Sequence, residues 1–100
     1  MSWANKYIET LKAGQQVLFR PVGNSMKGKI NSGQLCILAP AKKDELKVGD
    51  IVLCKVNGNQ YLHLIKAIKD DRFCIGNNKG HINGWISFNY VYGKLIKIED

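Results

Sequence analysis

The sequence has few of the features that mark membrane, secreted or disordered proteins. Proline occurs only twice in 100 residues. No apolar run approaches the roughly 20 residues of a membrane span, and the N-terminus lacks the apolar stretch of a signal peptide. With 45% hydrophobic and 23% charged residues, the composition is that of a globular protein. We expect one cytoplasmic domain over residues 1–100 without a membrane span, because so short a chain cannot bury two cores.

Cysteine is also scarce, and its three copies are not arranged for metal binding or disulfide pairing. Cys36, Cys54 and Cys74 are odd in number, and each lies within an apolar run. No CxxC pair is present. We interpret all three as reduced thiols of the core rather than as a nucleophile, and nothing in the sequence indicates a metal or another cofactor.

Acidic residues are few, with eight against fifteen lysines and arginines, so the formal net charge is +7. This balance favours an anionic partner such as nucleic acid or an acidic protein. However, the lysines are spread along the chain and no repeated arginines could read base edges, which favours a solvated surface. The local exception is the pair Lys27 and Lys29.

The hydrophobic pattern predicts one helix followed by a mostly β domain. Apolar residues recur at helical spacing after Ser2, and Gly14 ends the pattern, so residues 3–13 are predicted as an amphipathic helix. Residues 16–98 then alternate between β-prone runs and turns. Asn57-Gly58 is typical of a hairpin turn joining 51–56 to 60–66, and Asp70-Asp71 of another turn. The predicted strands are 16–22, 34–39, 50–56, 60–68, 72–75, 85–88 and 90–98.

Several short motifs follow one another within this β region. They are GNSMKGKI at 23–30, SGQL at 32–35, GDIVLCKV at 49–56, YLHLI at 61–65, GNN at 76–78, NG at 83–84 and VYGKL at 91–95. Their order over about residues 17–96 resembles the superfamily that joins type I signal peptidases with self-cleaving LexA-like repressors. The resemblance implies a partly open, barrel-like domain of coiled antiparallel sheets, here with one N-terminal helix.

The resemblance also implies a serine nucleophile and a nearby base. Ser25 occupies the nucleophile position, and His63 occupies the position of the base, which is lysine in some members and histidine in others. A neutral imidazole can take the serine proton at pH 7. Lys55 and Lys66 are the nearest alternatives, although strand alternation places Lys66 opposite His63. The oxyanion would be held by the backbone of the tight turn that includes Asn24 and Met26.

The chain departs from the family pattern at several polar positions. Asn77 and Asn83 stand where histidine-type members have acids near the base. Asparagine can orient an imidazole but cannot stabilise the imidazolium by charge. Three further departures are Gly28 for the motif proline, Gln34 for aspartate and Leu64 for arginine. These losses are compatible with a diverged active peptidase or with an inactive relative.

Two functions therefore stand as hypotheses. The first is a serine-peptidase-like domain that hydrolyses peptide bonds of a soluble protein partner through Ser25 and His63, supported by Asn77 and Asn83. The second is an inactive homologue that binds a protein segment in the same groove, with nucleic acid a less favoured partner, beside Lys27 and Lys29. The alternative interpretation of His63 is a half-buried strand residue satisfied by a neighbour, and His81 is expected to be exposed and idle.

Overall fold

A computed structural model describes residues 3–99 as one helix and a seven-stranded antiparallel sheet. The strands run in the spatial order β1-β2-β7-β3-β4-β5-β6, and the sheet is not closed into a barrel, because β1 and β6 remain at its two ends. The predicted mostly β class is therefore confirmed. The elements are α1 (Asn5–Lys12), β1 (Val17–Phe19), β2 (Leu35–Pro40), β3 (Ile51–Val56), β4 (Asn59–Lys69), β5 (Arg72–Gly76), β6 (Ile82–Ser87) and β7 (Val91–Glu99).

Helix α1 packs its apolar stripe against β1, β2 and β7, but it is shorter than predicted. Its N-cap is Ala4, and it ends at Lys12 before Gly14, which has a positive φ of 88°. The proposed N-cap Ser2 lies outside the described residues. Leu11 packs so closely on β7 that a Cβ on Gly93 would lie 2.7 Å from one of its methyl carbons. A side chain at position 93 would therefore force Leu11 to shift from its packing on β7.

The hairpin turns form where the sequence predicts them. Asn57 and Gly58 both have positive φ, and they join β3 to β4 in the register Val56 to Asn59. Asp70 and Asp71 also both have positive φ and join β4 to β5. Asparagine, aspartate and glycine tolerate this left-handed backbone better than other residues, so these local signals suffice to position the two turns.

Strand boundaries differ from the prediction at both ends of the sheet. The predicted first strand, 16–22, is ordered as a strand only over Val17–Phe19, because Pro21 lies in the following loop and Val22 is 88% exposed. The predicted strand 85–88 instead spans Ile82–Ser87, and a 3-10 helix over Phe88–Tyr90 follows it. The earlier start of β6 brings Asn83 into the sheet.

The core lies on both faces of the central strands. Ile51 and Leu53 of β3 pack in the cluster beneath α1, whereas Val52 and Cys54 pack in a second cluster with β5 and β6. This explains why β3 is an almost continuous apolar run rather than an alternating one. All three cysteines are buried and unpaired. No helix within residues 3–99 has the length and hydropathy needed to cross a membrane.

Candidate active site

Ser25 lies in the long loop between β1 and β2, residues 20–34, which is called the Ser25 loop below. A turn closed by the hydrogen bond from the Lys27 N–H to the Asn24 carbonyl, 3.1 Å long, holds Ser25 and Met26 at its centre. The Ile30 N–H donates to the Met26 carbonyl at 2.8 Å. The side chains of Met26 and Ile30 are buried in the core beneath α1. These two anchors fix an otherwise polar loop against the sheet.

His63 is the polar side chain that the fold buries. It lies in β4 and is 6% exposed, and no other polar or charged side chain within 3–99 is buried. Its Nε2 lies 3.2 Å from the Oγ of Ser25. This is hydrogen-bond distance, so the structure brings together the two residues that the sequence motifs predict as nucleophile and base.

Asn83 completes a chain of three side chains. Its Oδ1 lies 2.7 Å from the Nδ1 of His63. An amide oxygen can only accept, so the imidazole hydrogen lies on Nδ1 and the Nε2 lone pair faces the hydroxyl of Ser25. This tautomer is the one that a general base requires.

A β-bulge explains how Asn83 reaches the imidazole. Ile75 pairs with Gly84, whereas Gly76 pairs with Ile82, so Asn83 is an extra residue in β6. Gly84 has a φ of 148°, which a glycine adopts without strain. Bulges redirect side chains in this way and are frequent beside active sites.

The surroundings of His63 favour its neutral form. Burial lowers the pKa of His63, its hydrogen bond to Asn83 raises it, and the charge of His81 lowers it; the net shift is downward. The ring of Tyr61 stacks on the imidazole, with centroids 4.8 Å apart and planes inclined by 26°. The imidazole is therefore a free base at neutral pH.

Asn78 is a site residue that the sequence analysis did not single out. Its backbone N–H donates to the carbonyl of Ser25 at 3.1 Å, and its Nδ2 donates to the carbonyl of Lys27 at 2.8 Å. These bonds tie the Ser25 loop to the loop between β5 and β6. The GNN motif at 76–78 is the sequence signal for this loop, but the sequence analysis uses only its first asparagine, Asn77, as a support for the base.

Asn77, predicted as a supporting residue, uses its side-chain oxygen within its own turn. Its Oδ1 accepts hydrogen bonds from the backbone N–H groups of Lys79 and His81, at 2.8 and 2.9 Å. It therefore shapes the turn before β6. The prediction for Asn77 is corrected accordingly, because an Asx-type turn uses the side-chain oxygen locally.

The predicted lysines lie outside the hydrogen-bonding chain. Lys27 and Lys29 are exposed on the Ser25 loop. Lys66 extends past Gly76, where its Cε would lie 3.1 Å from an added Cβ. No lysine is among the described residues that line the groove at Ser25. His81 is exposed, as predicted, and its charge contributes to the low pKa of His63.

A groove of about 210 Å³, called the Ser25 groove, opens beside the hydroxyl. Apart from His63, none of the described residues that line it carries an ionisable acid or base other than the phenol of Tyr61. Its apolar lining includes Trp3, Val22, Met26, Ile30 and Leu62.

The backbone beside this groove offers hydrogen-bond donors. The N–H groups of Ser25 and Met26 have no acceptor among residues 3–99, because both lie at the centre of the turn. Asn24, predicted as part of the oxyanion turn, contributes the carbonyl that closes it. A carbonyl oxygen bound at Ser25 could accept from this part of the backbone.

Other kinds of site find less support in the structure. Among residues 3–99, no group of three or more His, Cys, Asp or Glu side chains is placed to hold a metal ion. Burial raises the pKa of Cys54 to about 12, so this thiol stays protonated and unreactive at neutral pH. Comparison of the chain with models of protein families and with curated proteins found no match.

Proposed function

We propose that the protein is a serine hydrolase that cleaves peptide bonds, with Ser25 as nucleophile, His63 as general base and Asn83 as the residue that orients the imidazole. The observation that carries the proposal is the continuous chain from the Ser25 Oγ to His63 Nε2 at 3.2 Å and from Nδ1 to Asn83 at 2.7 Å. The ordered sequence motifs support a distant relationship to signal peptidases and LexA-like repressors.

In the first half-reaction the Oγ of Ser25 attacks the substrate carbonyl carbon while Nε2 of His63 takes the hydroxyl proton. The carbonyl oxygen becomes an oxyanion, which the free backbone N–H of Ser25 can stabilise. The intermediate then collapses, the C–N bond breaks and Nε2–H gives its proton to the leaving amine. An ester between Ser25 and the acyl part of the substrate remains.

Water completes the reaction through the same residues. Nε2 of His63 takes a proton from the attacking water, and the new tetrahedral intermediate breaks its bond to Oγ. The proton on Nε2 returns to the serine oxygen, and a carboxylic acid leaves. Every proton transfer therefore uses Nε2, and Nδ1 remains hydrogen-bonded to Asn83 throughout.

Because the partner of His63 is uncharged, we expect a low turnover rate. In each transition state the imidazole gains positive charge, which an asparagine oxygen stabilises only as a dipole. The buried surroundings oppose that charge further. We therefore propose a slow hydrolase, for which a lower turnover than that of a Ser-His-Asp enzyme is expected.

The Ser25 groove indicates the class of substrate. Its lining is apolar or uncharged around Ser25, so we propose that it accepts an uncharged side chain of an extended peptide. Tyr61 lies beside the base, with its ring stacked on the imidazole of His63.

Cleavage of a complex peptide mixture tests this function. A peptide digest incubated with the wild-type protein should gain new N-termini, read by mass spectrometry, with uncharged residues enriched at the cleavage site. The Ser25→Ala protein, purified in the same way, should produce none of them. Absence of new termini with the wild type, or the same termini with Ser25→Ala, would contradict the proposal.

An inactive binding protein is the second candidate, favoured by the amide at position 83 and by the exposed Lys27 and Lys29 beside the groove. In that case a protein segment would occupy the Ser25 groove without being cleaved. Binding of a captured partner would then survive Ser25→Ala and weaken on charge reversal at Lys27 and Lys29. Neither the wild-type protein nor the Ser25→Ala protein would cleave peptides.

A further inference from the structure

A second groove, called the Trp85 groove, lies away from the proposed active site. It has a volume of about 580 Å³ and lies between the tip of the β3–β4 hairpin and the end of β6 with the 3-10 helix that follows. None of its lining residues also lines the Ser25 groove. The residues that matter here are Lys55, Arg72, Trp85 and Tyr90.

Two aromatic rings are left exposed in this groove. Trp85 is 44% exposed and Tyr90 is 49% exposed, although both are large enough to fill a core position. Neither ring belongs to the buried clusters of the domain. Exposed aromatic side chains that line one groove can stack planar ligands, because every nucleobase has a π face.

The charges around these rings have one sign. Lys55 and Arg72 line the groove, and no described lining residue is acidic. Nη2 of Arg72 donates to the backbone carbonyl of Trp85 at 3.3 Å, which holds the guanidinium against the main chain of β6 at the groove and leaves its other N–H groups for an anion. The net charge of +7 attracts polyanions to the whole chain.

The polarity of the lining distinguishes between classes of partner. Tryptophan, tyrosine and arginine are enriched in protein–protein interfaces too, but lysine and serine are depleted there, so it is Lys55 and Ser87 in the lining that favour an anionic ligand over a protein segment. Cations beside stacking rings are the combination found in sites for single-stranded nucleic acid.

We propose that the Trp85 groove is a second binding site, for single-stranded nucleic acid, whose bases stack on Trp85 and Tyr90 and whose phosphates pair with Lys55 and Arg72. The site does not depend on the proposed hydrolase activity, because it shares no residue with it. Recognition would be tolerant of base sequence, since the groove presents ring faces and point charges rather than an array of base-edge readers.

Single-tryptophan proteins locate the ligand, because the chain has only two tryptophans. The Trp3→Phe protein retains Trp85 as its fluorophore, and the Trp85→Phe protein retains Trp3 in the Ser25 groove as a matched control. Titration with the oligonucleotide (dT)8 at low salt should quench the fluorescence of Trp85 and leave that of Trp3 unchanged. No binding, or quenching of Trp3 alone, would overturn the proposal.

Fluorescence anisotropy of labelled (dT)8 measures the contribution of each group. Trp85→Ala should weaken binding roughly tenfold or more, and Trp85→Phe much less, because the phenyl ring still stacks. Lys55→Ala and Arg72→Ala should each reduce the slope of log K against log salt by about 0.7. Lys97→Ala, an exposed lysine on β7, serves as the control and should leave the slope nearly unchanged.

Two further ligands separate nucleic acid from other anions. An abasic eight-unit oligomer carries the same phosphates without bases, and octaglutamate carries carboxylates on a peptide backbone. Both should bind clearly more weakly than (dT)8. Equal binding of either one would overturn the proposal, in favour of a general anion site or of an acidic peptide site. Thermal unfolding of each variant confirms that it is folded.

Discussion

The Oδ1 of Asn83 lies 2.7 Å from Nδ1 of His63, so an uncharged amide occupies the place that a carboxylate holds in a Ser-His-Asp triad. The amide fixes the tautomer and the orientation of the ring. It does not supply the negative charge that would stabilise the imidazolium. The site therefore has the geometry of a triad without its negative charge. Substitution of Asn83 can test the effect of that charge.

Asn83→Asp is expected to convert the chain of side chains into a charged triad. The carboxylate should raise the pKa of His63 and increase Ser25 reactivity roughly tenfold or more at pH 8, because it stabilises the developing imidazolium. Asn77→Asp adds the same charge in the adjacent turn, where the side-chain oxygen bonds to the backbone, and is the matched control. An unchanged His63 pKa in an NMR titration would contradict this account.

The buried His63 should make the fold less stable in acid. Its pKa is lowered in the folded state, so the unfolded chain binds more protons below its ordinary pKa of about 6.5. The free energy of unfolding should therefore fall as the pH decreases through this value, by up to about 1.4 kcal/mol per pH unit. Chemical denaturation of the wild type and of His63→Gln between pH 7.5 and 5 measures how steeply the free energy of unfolding falls in each protein. Parallel curves for the two proteins would argue against it.

Asn78 should position the Ser25 loop. Asn78→Ala removes the 2.8 Å hydrogen bond to the Lys27 carbonyl, so we expect the free energy of unfolding to fall by about 1 kcal/mol. We also expect Ser25 to react more slowly with a fluorophosphonate, because its loop is held less firmly. Thr10→Ala removes a side-chain hydrogen bond to a carbonyl within α1, outside this loop, and is the control. If Ser25 reacts with a fluorophosphonate at the wild-type rate in both variants, Asn78 has no positioning role.

Gly93 should be required for docking of the helix. In Gly93→Ala the added Cβ would lie 2.7 and 3.0 Å from the two methyl carbons of Leu11, which should cost about 1–3 kcal/mol. Leu11→Ala removes those methyl groups, so the double variant should be less destabilised than the sum of the two single variants. Additive losses in denaturant unfolding would show that the contact is not the cause.

Local rules predict a large part of this structure. Asn57-Gly58 and Asp70-Asp71 form their turns because positive φ is a property of the residues themselves. The apolar stripe of α1 and the succession of a helix and then strands along the sequence follow from the spacing of the apolar residues. The pairing of Ser25 with His63 was predicted from motif order, and their separation is a property of the folded chain.

The remainder depends on contacts between distant segments. The motif order predicts Asn83 as a support for the base, but Asn83 reaches His63 only through a bulge in a strand that begins earlier than its apolar residues indicate. Asn78 bonds to a loop far along the chain. Neither contact follows from spacing, because both asparagines lie in turn-rich sequence where a local role is equally consistent. Asn77, in the same motif, has that local role.

The most direct test of the central claim is covalent labelling of Ser25 by a fluorophosphonate, which reacts with serine hydroxyls that a neighbouring base activates and which needs no knowledge of the substrate. Peptide mapping should place the adduct on Ser25 in the wild type. Labelling should be lost in Ser25→Ala and strongly reduced in His63→Ala, and the exposed Ser32 of the same loop should remain unmodified. An unlabelled wild-type protein, or equal labelling after removal of the imidazole, would contradict the account.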